Sequence, residues 1–335
     1  MNLRVAIGPV VVVTLLAASC RSSGSSGALT LYSGQHDRTT QALVSAFTKA
    51  TGIKVDIRSG DETQLSDQIV QEATNTRADV FYSENSPALM SLDEKRLFVP
   101  VDATTLAKTP AKYNPSDGGW VAVSGRVSAL VYNTKALRPD QLPTSVLDLQ
   151  SPAWKGKVGI ATDDTDFHPV LSSVAQFESQ QVAIIWLNAL RANAGDKSYP
   201  TNEALVHAVD QGSVALGIIN TYDWYRLRHD QASINSAVSL VRPLDPGYVF
   251  DISGAGVLRS SKHQAAAQKL VAFLAGPEGG QVLAHSASFE YPLATGVPAD
   301  PQLPPLASLQ PAKVTSDDLG DGGLPRKLLE KSKAA

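Results

Sequence analysis

Apolar positions along this chain switch repeatedly between the spacing of a strand and the spacing of a helix. Leu29 and Leu31 alternate, then Leu43, Ala46, Phe47 and Ala50 recur along one helical face. Gly52 supplies a helix stop, and Ile53, Val55 and Ile57 alternate again. Leu65, Ile69, Val70 and Ala73 predict a second helix, and residues 78–82 a short apolar strand. The succession is βαβαβ, which predicts a mainly parallel sheet with right-handed crossovers. Further on, 120–133 reads as two extended pieces joined at Gly125, and 158–160 and 215–219 read as buried strands of a second lobe. Residues 252–258 form another extended segment whose glycines suit a crossover between lobes. Helices are expected over 263–274 and from Pro277, where proline fits a first helical turn. The tail after Pro298 reads as a wrapping segment with a short final helix.

Composition narrows the class. The chain has 335 residues with 43% hydrophobic and 18% charged content, enough for a folded protein with two lobes. The net charge of -3 and the lack of any dense Lys/Arg tract exclude a nucleic-acid footprint. At the N-terminus, Arg4 precedes an apolar run over 5–18, the pattern of a secretory signal. The run ends in Leu16-Ala17-Ala18-Ser19-Cys20, followed by a Ser/Gly stretch. Small residues before the chain's single cysteine resemble a bacterial lipobox, which predicts a signal peptide at 1–19, a lipidated Cys20 and a flexible tether over 20–27. With one cysteine, an intrachain disulfide and a thiolate cluster are both excluded.

The polar turn Tyr32-Ser33-Gly34-Gln35-His36-Asp37 sits between a predicted strand end and a predicted helix start. In α/β folds this is where ligands are held, because helix N–H groups and loop side chains converge there. Glu84 falls just past another predicted strand end. No G-x-S-x-G elbow, P-loop, G-x-G-x-x-G or H-E-x-x-H is present, and the six histidines form no close pair. A secreted hydrolase therefore has no motif behind it. Binding has more. A hard trivalent cation is best held by phenolate and carboxylate oxygens with at most one or two imidazoles. His36, Glu84 and Tyr222, with Asp223 beside it, have that composition.

Several segments then carry a specific resemblance in order: Tyr32 to His36, Ala78 to Asn85, Ser124-Gly125-Arg126, Trp154 to Val158, Asn220 to Trp224, and Glu290 to Leu293. Together, over about residues 28–300, they resemble the bacterial ferric-iron-binding proteins that serve ABC transporters. The resemblance implies the type II periplasmic-binding-protein fold, an α/β architecture of two lobes with crossover hinge strands and an interlobe cleft. It implies Fe³⁺ as transported ligand, with a synergistic anion such as phosphate or carbonate, and His36, Glu84 and Tyr222 at ligand positions. Arg126 matches the family's anion-binding arginine, and Thr165 lies in the helix N-terminus that completes the anion site. Two positions depart from the family. Asp223 stands where a second tyrosine is expected, so that Asp223, Tyr225 or water fills the gap. The helix N-terminus is acidic, Asp163-Asp164-Thr165-Asp166, so that Asp164 or Asp166 is a candidate to replace the synergistic anion.

The expectation is an extracytoplasmic, lipid-anchored and monomeric binding protein that delivers its cargo to a membrane permease. Its first lobe is expected over 28–126 and 253–300, and its second over 127–252 and 301–335. The rival reading on the same fold is a small organic or oxyanion solute anchored by Arg126.

Overall fold

The computed structural model describes residues 27–333. The expected signal peptide, the lipidation at Cys20 and the tether up to residue 26 lie outside the described residues.

Strand and helix alternate from the start: β1 (Leu29–Ser33), α1 (Asp37–Thr51), β2 (Val55–Ser59), α2 (Glu62–Glu72), β3 (Val80–Ser83) and α3 (Ser86–Glu94). Gly52 closes α1 in the left-handed region at φ 74°, and Asp61 caps α2 by accepting from Gln64 N. β4 (Phe98–Val99), α4 (Ala103–Leu106) and β5 (Val121–Asn133) follow. The second lobe then contributes β6 (Val158–Gly159), α5 (Phe167–Phe177), α6 (Gln180–Ala194), α7 (Asn202–Asp210), β7 (Leu216–Asn220), α8 (Thr221–Asp230) and β8 (Ser236–Ser239). The chain returns through β9 (Phe250–Leu258), α9 (Gln264–Leu274), α10 (Pro277–Ala284) and β10 (Tyr291–Pro292), and ends in α11 (Ser316–Leu319) and α12 (Gly323–Lys333).

β1 lies between β2 and β3, both parallel to it, which is the expected crossover unit. β9 then joins β3 antiparallel, and β5 joins β9. The hinge departs from the sequence reading. β5 is one continuous strand of 13 residues, all buried, with an irregularity between Ala122 and Ser124 and none at Gly125. Its first part, through Val127, pairs with β9, and from Ser128 it pairs with β7 and β8. β5 is thus the strand shared by both sheets, whereas β9 lies wholly in the first. Gly125 is needed for a different reason than a joint: a Cβ there would lie 2.2 Å from the Phe250 ring.

Each sheet has its own core. Leu29, Leu31, Leu43, Phe47, Val80 and Val257 fill one face of the first. Leu130, Val158, Leu171, Leu187, Leu205 and Leu216 fill the second, with Trp186 stacked on Phe167 at 5.9 Å. Leu319, Leu328 and Leu329 of the tail pack into this second core. Among the described residues no helix is long and apolar enough to cross a membrane.

Candidate functional site

Parallel neighbours end at the same edge of a sheet, and this places the candidate residues. Ser33 is in register with Tyr82, so the turns after β1 and β3 lie side by side and bring His36 next to Glu84. The turn after β2 adds Asp61. The second lobe repeats the arrangement. β6 runs parallel to β7, and Ile160 bridges Ser198 in the same sense. The segment after Ile160 therefore delivers Asp163 to Asp166, the one after Ser198 delivers Thr201 to Glu203, and β7 delivers Tyr222 and Asp223 in the first turn of α8. Carboxyl ends of strands from both lobes face one cleft of about 350 Å³.

That cleft is acidic. Asp61, Glu84, Asp163, Asp164, Glu203 and Asp223 line it, with His36, Thr165 and Tyr222. His36 Nε2 lies 2.9 Å from Glu84 Oε1. On the facing lobe Tyr222 OH donates to Asp166 Oδ2 at 2.6 Å, and the Tyr222 ring meets the His36 ring edge-on at 5.1 Å. The two half-sites thus touch. Among the described residues no third His, Cys, Asp or Glu joins His36 and Glu84 in a cluster able to hold a metal. The donors stand instead as two facing pairs, His36 with Glu84 and Tyr222 with Asp166.

Arg126, on the hinge strand, is 1% exposed. Its Nη1 stands 3.0 Å from Glu84 Oε1 and 3.5 Å from Asp166 Oδ1. None of its three guanidinium nitrogens makes an aligned hydrogen bond. Burial alone would push the Glu84 carboxyl up, but His36 and Arg126 outweigh it and hold Glu84 below the ordinary carboxylate range. Glu84 is therefore an anion, ready for a cation. Burial pushes the Tyr222 phenol well above 10, reinforced by Asp166, Asp223 and Glu84 and opposed by Arg126. Burial and Asp166 likewise push Asp223 up, against the pull of Arg226. Asp223 Oδ2 is buried without a hydrogen-bond partner at the cleft wall, so an ion entering there would meet an oxygen with an unused lone pair.

The remaining expected residues fall as follows. Tyr225 packs on Phe289 at 5.8 Å and Trp224 at 5.0 Å and is not among the residues lining the cleft, whereas Asp223 is. Thr165 lines the cleft. Asp166 occupies the N-cap position of α5 but makes no capping hydrogen bond. Its carboxylate, buried behind the cleft wall, is bonded to side chains instead. Oδ1 accepts from Asn85 Nδ2 at 3.1 Å, and Oδ2 accepts from Asn202 Nδ2 at 3.2 Å as well as from Tyr222. Asn202, Asn85 and Glu62 were missed by motif reading. Asn85 donates to both Asp166 and Glu62. The signal that could have found them is positional: each sits at a helix start, Glu62 and Asn85 after a strand and Asn202 after the bridge at Ser198.

The profile of the bacterial extracellular solute-binding proteins matches residues 75–318. An Fe(3+)-binding periplasmic protein of Serratia marcescens is 36% identical over 327 residues, which is 95% of this chain and 96% of that one. Iron-bound HitA from Pseudomonas aeruginosa superposes with a TM-score of 0.88 at 37% identity, covering 91% of this chain and 99% of that one. Trichodesmium IdiA (FutA), solved with iron and citrate, superposes with a TM-score of 0.78 at 27% identity, covering 91% and 99%. These are two-lobed binding proteins and not enzymes. With its family profile matched over most of its length and its two sheets hinged on a shared strand, the chain belongs to the bacterial extracellular solute-binding proteins.

Proposed function

We propose that this protein is the extracytoplasmic binding component of an ABC importer and that its cargo is ferric iron. The observation that carries the reading is the facing of two half-sites across an acidic cleft, His36 and Glu84 on one side, Tyr222 and Asp223 on the other. The acidic lining of the opening, with Glu84 held as an anion, attracts a cation and repels an oxyanion, which weighs against the rival oxyanion cargo. Phenolate, carboxylate and a single imidazole form a hard donor set suited to Fe³⁺. The named iron-binding function of the Serratia relative and the iron held by HitA support the same cargo.

Closure follows from where the ligands sit. An ion bound between half-sites on separate lobes has its highest affinity for the closed arrangement, and that difference drives the equilibrium toward it. A permease in the membrane reads the closed form. In this reading the lobes are 28–126 with 253–300 and 127–252 with 301–335, the protein acts as a monomer, and lipidated Cys20 holds it to the outer side of the cell membrane. The test is metal uptake by chelator-free protein. Addition of Fe³⁺ should give tight stoichiometric binding and a visible phenolate-to-iron band. A colourless protein that takes up no Fe³⁺ would overturn the proposal.

A further inference from the structure

We propose that Asp166 is a built-in anion: it occupies the place of a free oxyanion beside Arg126 and gives the bound cation a carboxylate oxygen next to the Tyr222 phenolate. The inference rests on the ferric reading above, adds a residue to it and removes the need for a free anion.

The first observation is a carboxylate withdrawn from its local duty. Asp166 stands at the N-cap of an 11-residue helix without capping it, and is held toward the cleft by Tyr222, Asn202 and Asn85. Asn202 and Tyr222 belong to the second lobe and Asn85 to the first, so the carboxylate is fixed from both sides. The second observation is Arg126, fully buried with no aligned hydrogen bond, and 3.5 Å from Asp166 Oδ1. Buried N–H donors of this kind call for an acceptor. Asp166 is already beside them.

Electrostatics decides between an internal and an external anion. Arg126 faces Glu84, Glu290 and Asp166, and Asp251 from the neighbouring strand, so one cation meets four carboxylates. In the iron-free site a phosphate or carbonate would add to that surplus, and when a ferric ion brings its three positive charges Asp166 is already in place beside Arg126 to meet them. Geometry suits the metal as well. Tyr222 OH and Asp166 Oδ2 are 2.6 Å apart. Two oxygens bound side by side to a small hard cation at about 2.0–2.1 Å stand about 2.8–2.9 Å apart. The ion can therefore take the place of the hydrogen now shared between these oxygens; the phenol releases its proton to solvent and both oxygens turn to the metal. Asn202 and Asn85 then act as outer partners that keep the carboxylate in line.

The experiment loads the full-length protein with Fe³⁺ generated by oxidation of ferrous chloride with dissolved oxygen, in buffer free of phosphate, carbonate and carboxylates. Inorganic phosphate or bicarbonate is then added. Wild type should show the full charge-transfer band before either addition and keep its band position and affinity after it. Asp166→Ala should bind about tenfold or more weakly without anion, the worth of one charged contact, and recover with phosphate. Asp166→Asn, which keeps an acceptor for Tyr222, guards against a folding defect and should show the same gain of anion dependence. Wild type that colours only after phosphate or bicarbonate is added would overturn the inference while leaving the ferric cargo intact. So would iron uptake by both variants indistinguishable from wild type without anion. Wild type without a band in any of these buffers would overturn the ferric reading itself.

Discussion

Tyr222 donates its phenol hydrogen to Asp166 across 2.6 Å, at the wall of a cleft whose other side carries His36 and Glu84. The phenol is held neutral by burial and by the carboxylates around it. Loading a trivalent ion must therefore expel this proton, and iron affinity should rise with pH and fall in acid, where protons compete for phenolate and carboxylate. Tyr222→Phe removes the oxygen while keeping the ring against His36 and Arg226. It should abolish the visible band and weaken Fe³⁺ binding by at least about a hundredfold. Absorbance during a ferric titration checks both; a variant that retains full colour would remove Tyr222 from the site.

Glu62 makes the iron-free protein sensitive to pH in the opposite sense from an ordinary salt bridge. Burial pushes its carboxyl up from 4.5 to about 8, reinforced by Glu84 and opposed by the hydrogen bond from Asn85. Between those values the folded chain keeps a proton that the unfolded chain has lost. Its contribution is fully present below the unfolded value and is lost as pH rises toward the folded one, with a slope approaching about 1.4 kcal/mol per pH unit. Melting temperature of the iron-free protein should therefore fall between about pH 5 and about pH 8, and Glu62→Gln should flatten part of that fall. An identical pH profile in the variant would show that Glu62 is not the group responsible.

Much of the first lobe was legible in the sequence because its signals are local. Leu43, Phe47 and the Gly52 stop define α1 without reference to anything distant, and strand ends at Ser33 and Ser83 locate His36 and Glu84. The hinge was not legible in the same way. Gly125 looks like a break when read alone, and only the Phe250 ring, 125 positions further along the chain, explains why a glycine continues the strand. Asp166 shows the same limit at the site. The sequence names it beside Asp164 as a candidate to replace the anion, but the groups that hold it, Asn85, Asn202 and Tyr222, come from positions far away in the chain and leave no local signal. The packing of Tyr225 on Phe289, also distant in sequence, was likewise not legible.

Arg126 couples the hinge strand to the carboxylates of Glu84 and Asp166. Its removal would leave Glu84, Asp166 and Asp251 without the cation that offsets their burial. Arg126→Ala should therefore lower stability by about 3–5 kcal/mol, the cost of breaking a buried ion pair from one side. Glu84 would lose one of the three charges, His36, Arg126 and Arg226, that hold its pKa down, so iron release should move to higher pH than in wild type. Denaturant melts and acid-release curves on the same preparation measure the two effects. Wild-type values in both would mean that Arg126 is not electrostatically joined to the site.

Gly125 gives a prediction about the hinge that does not involve the cargo. A methyl group there would lie 2.2 Å from Phe250 Cζ and 2.4 Å from Cε1, well inside contact distance. Phe250 has little room to retreat, since its ring also packs on Tyr113 at 5.5 Å and Tyr291 at 5.9 Å. Gly125→Ala should cost about 1–3 kcal/mol by overpacking. The strain falls beside Arg126 and two residues before the switch from β9 pairing to β7 pairing, so it should also disturb lobe closure. Phe250→Leu in the same chain should restore most of the lost stability by vacating the ring's space. Unfolding midpoints of the two single variants and the double variant test this, and a double variant no more stable than Gly125→Ala would show that the ring is not what excludes the methyl.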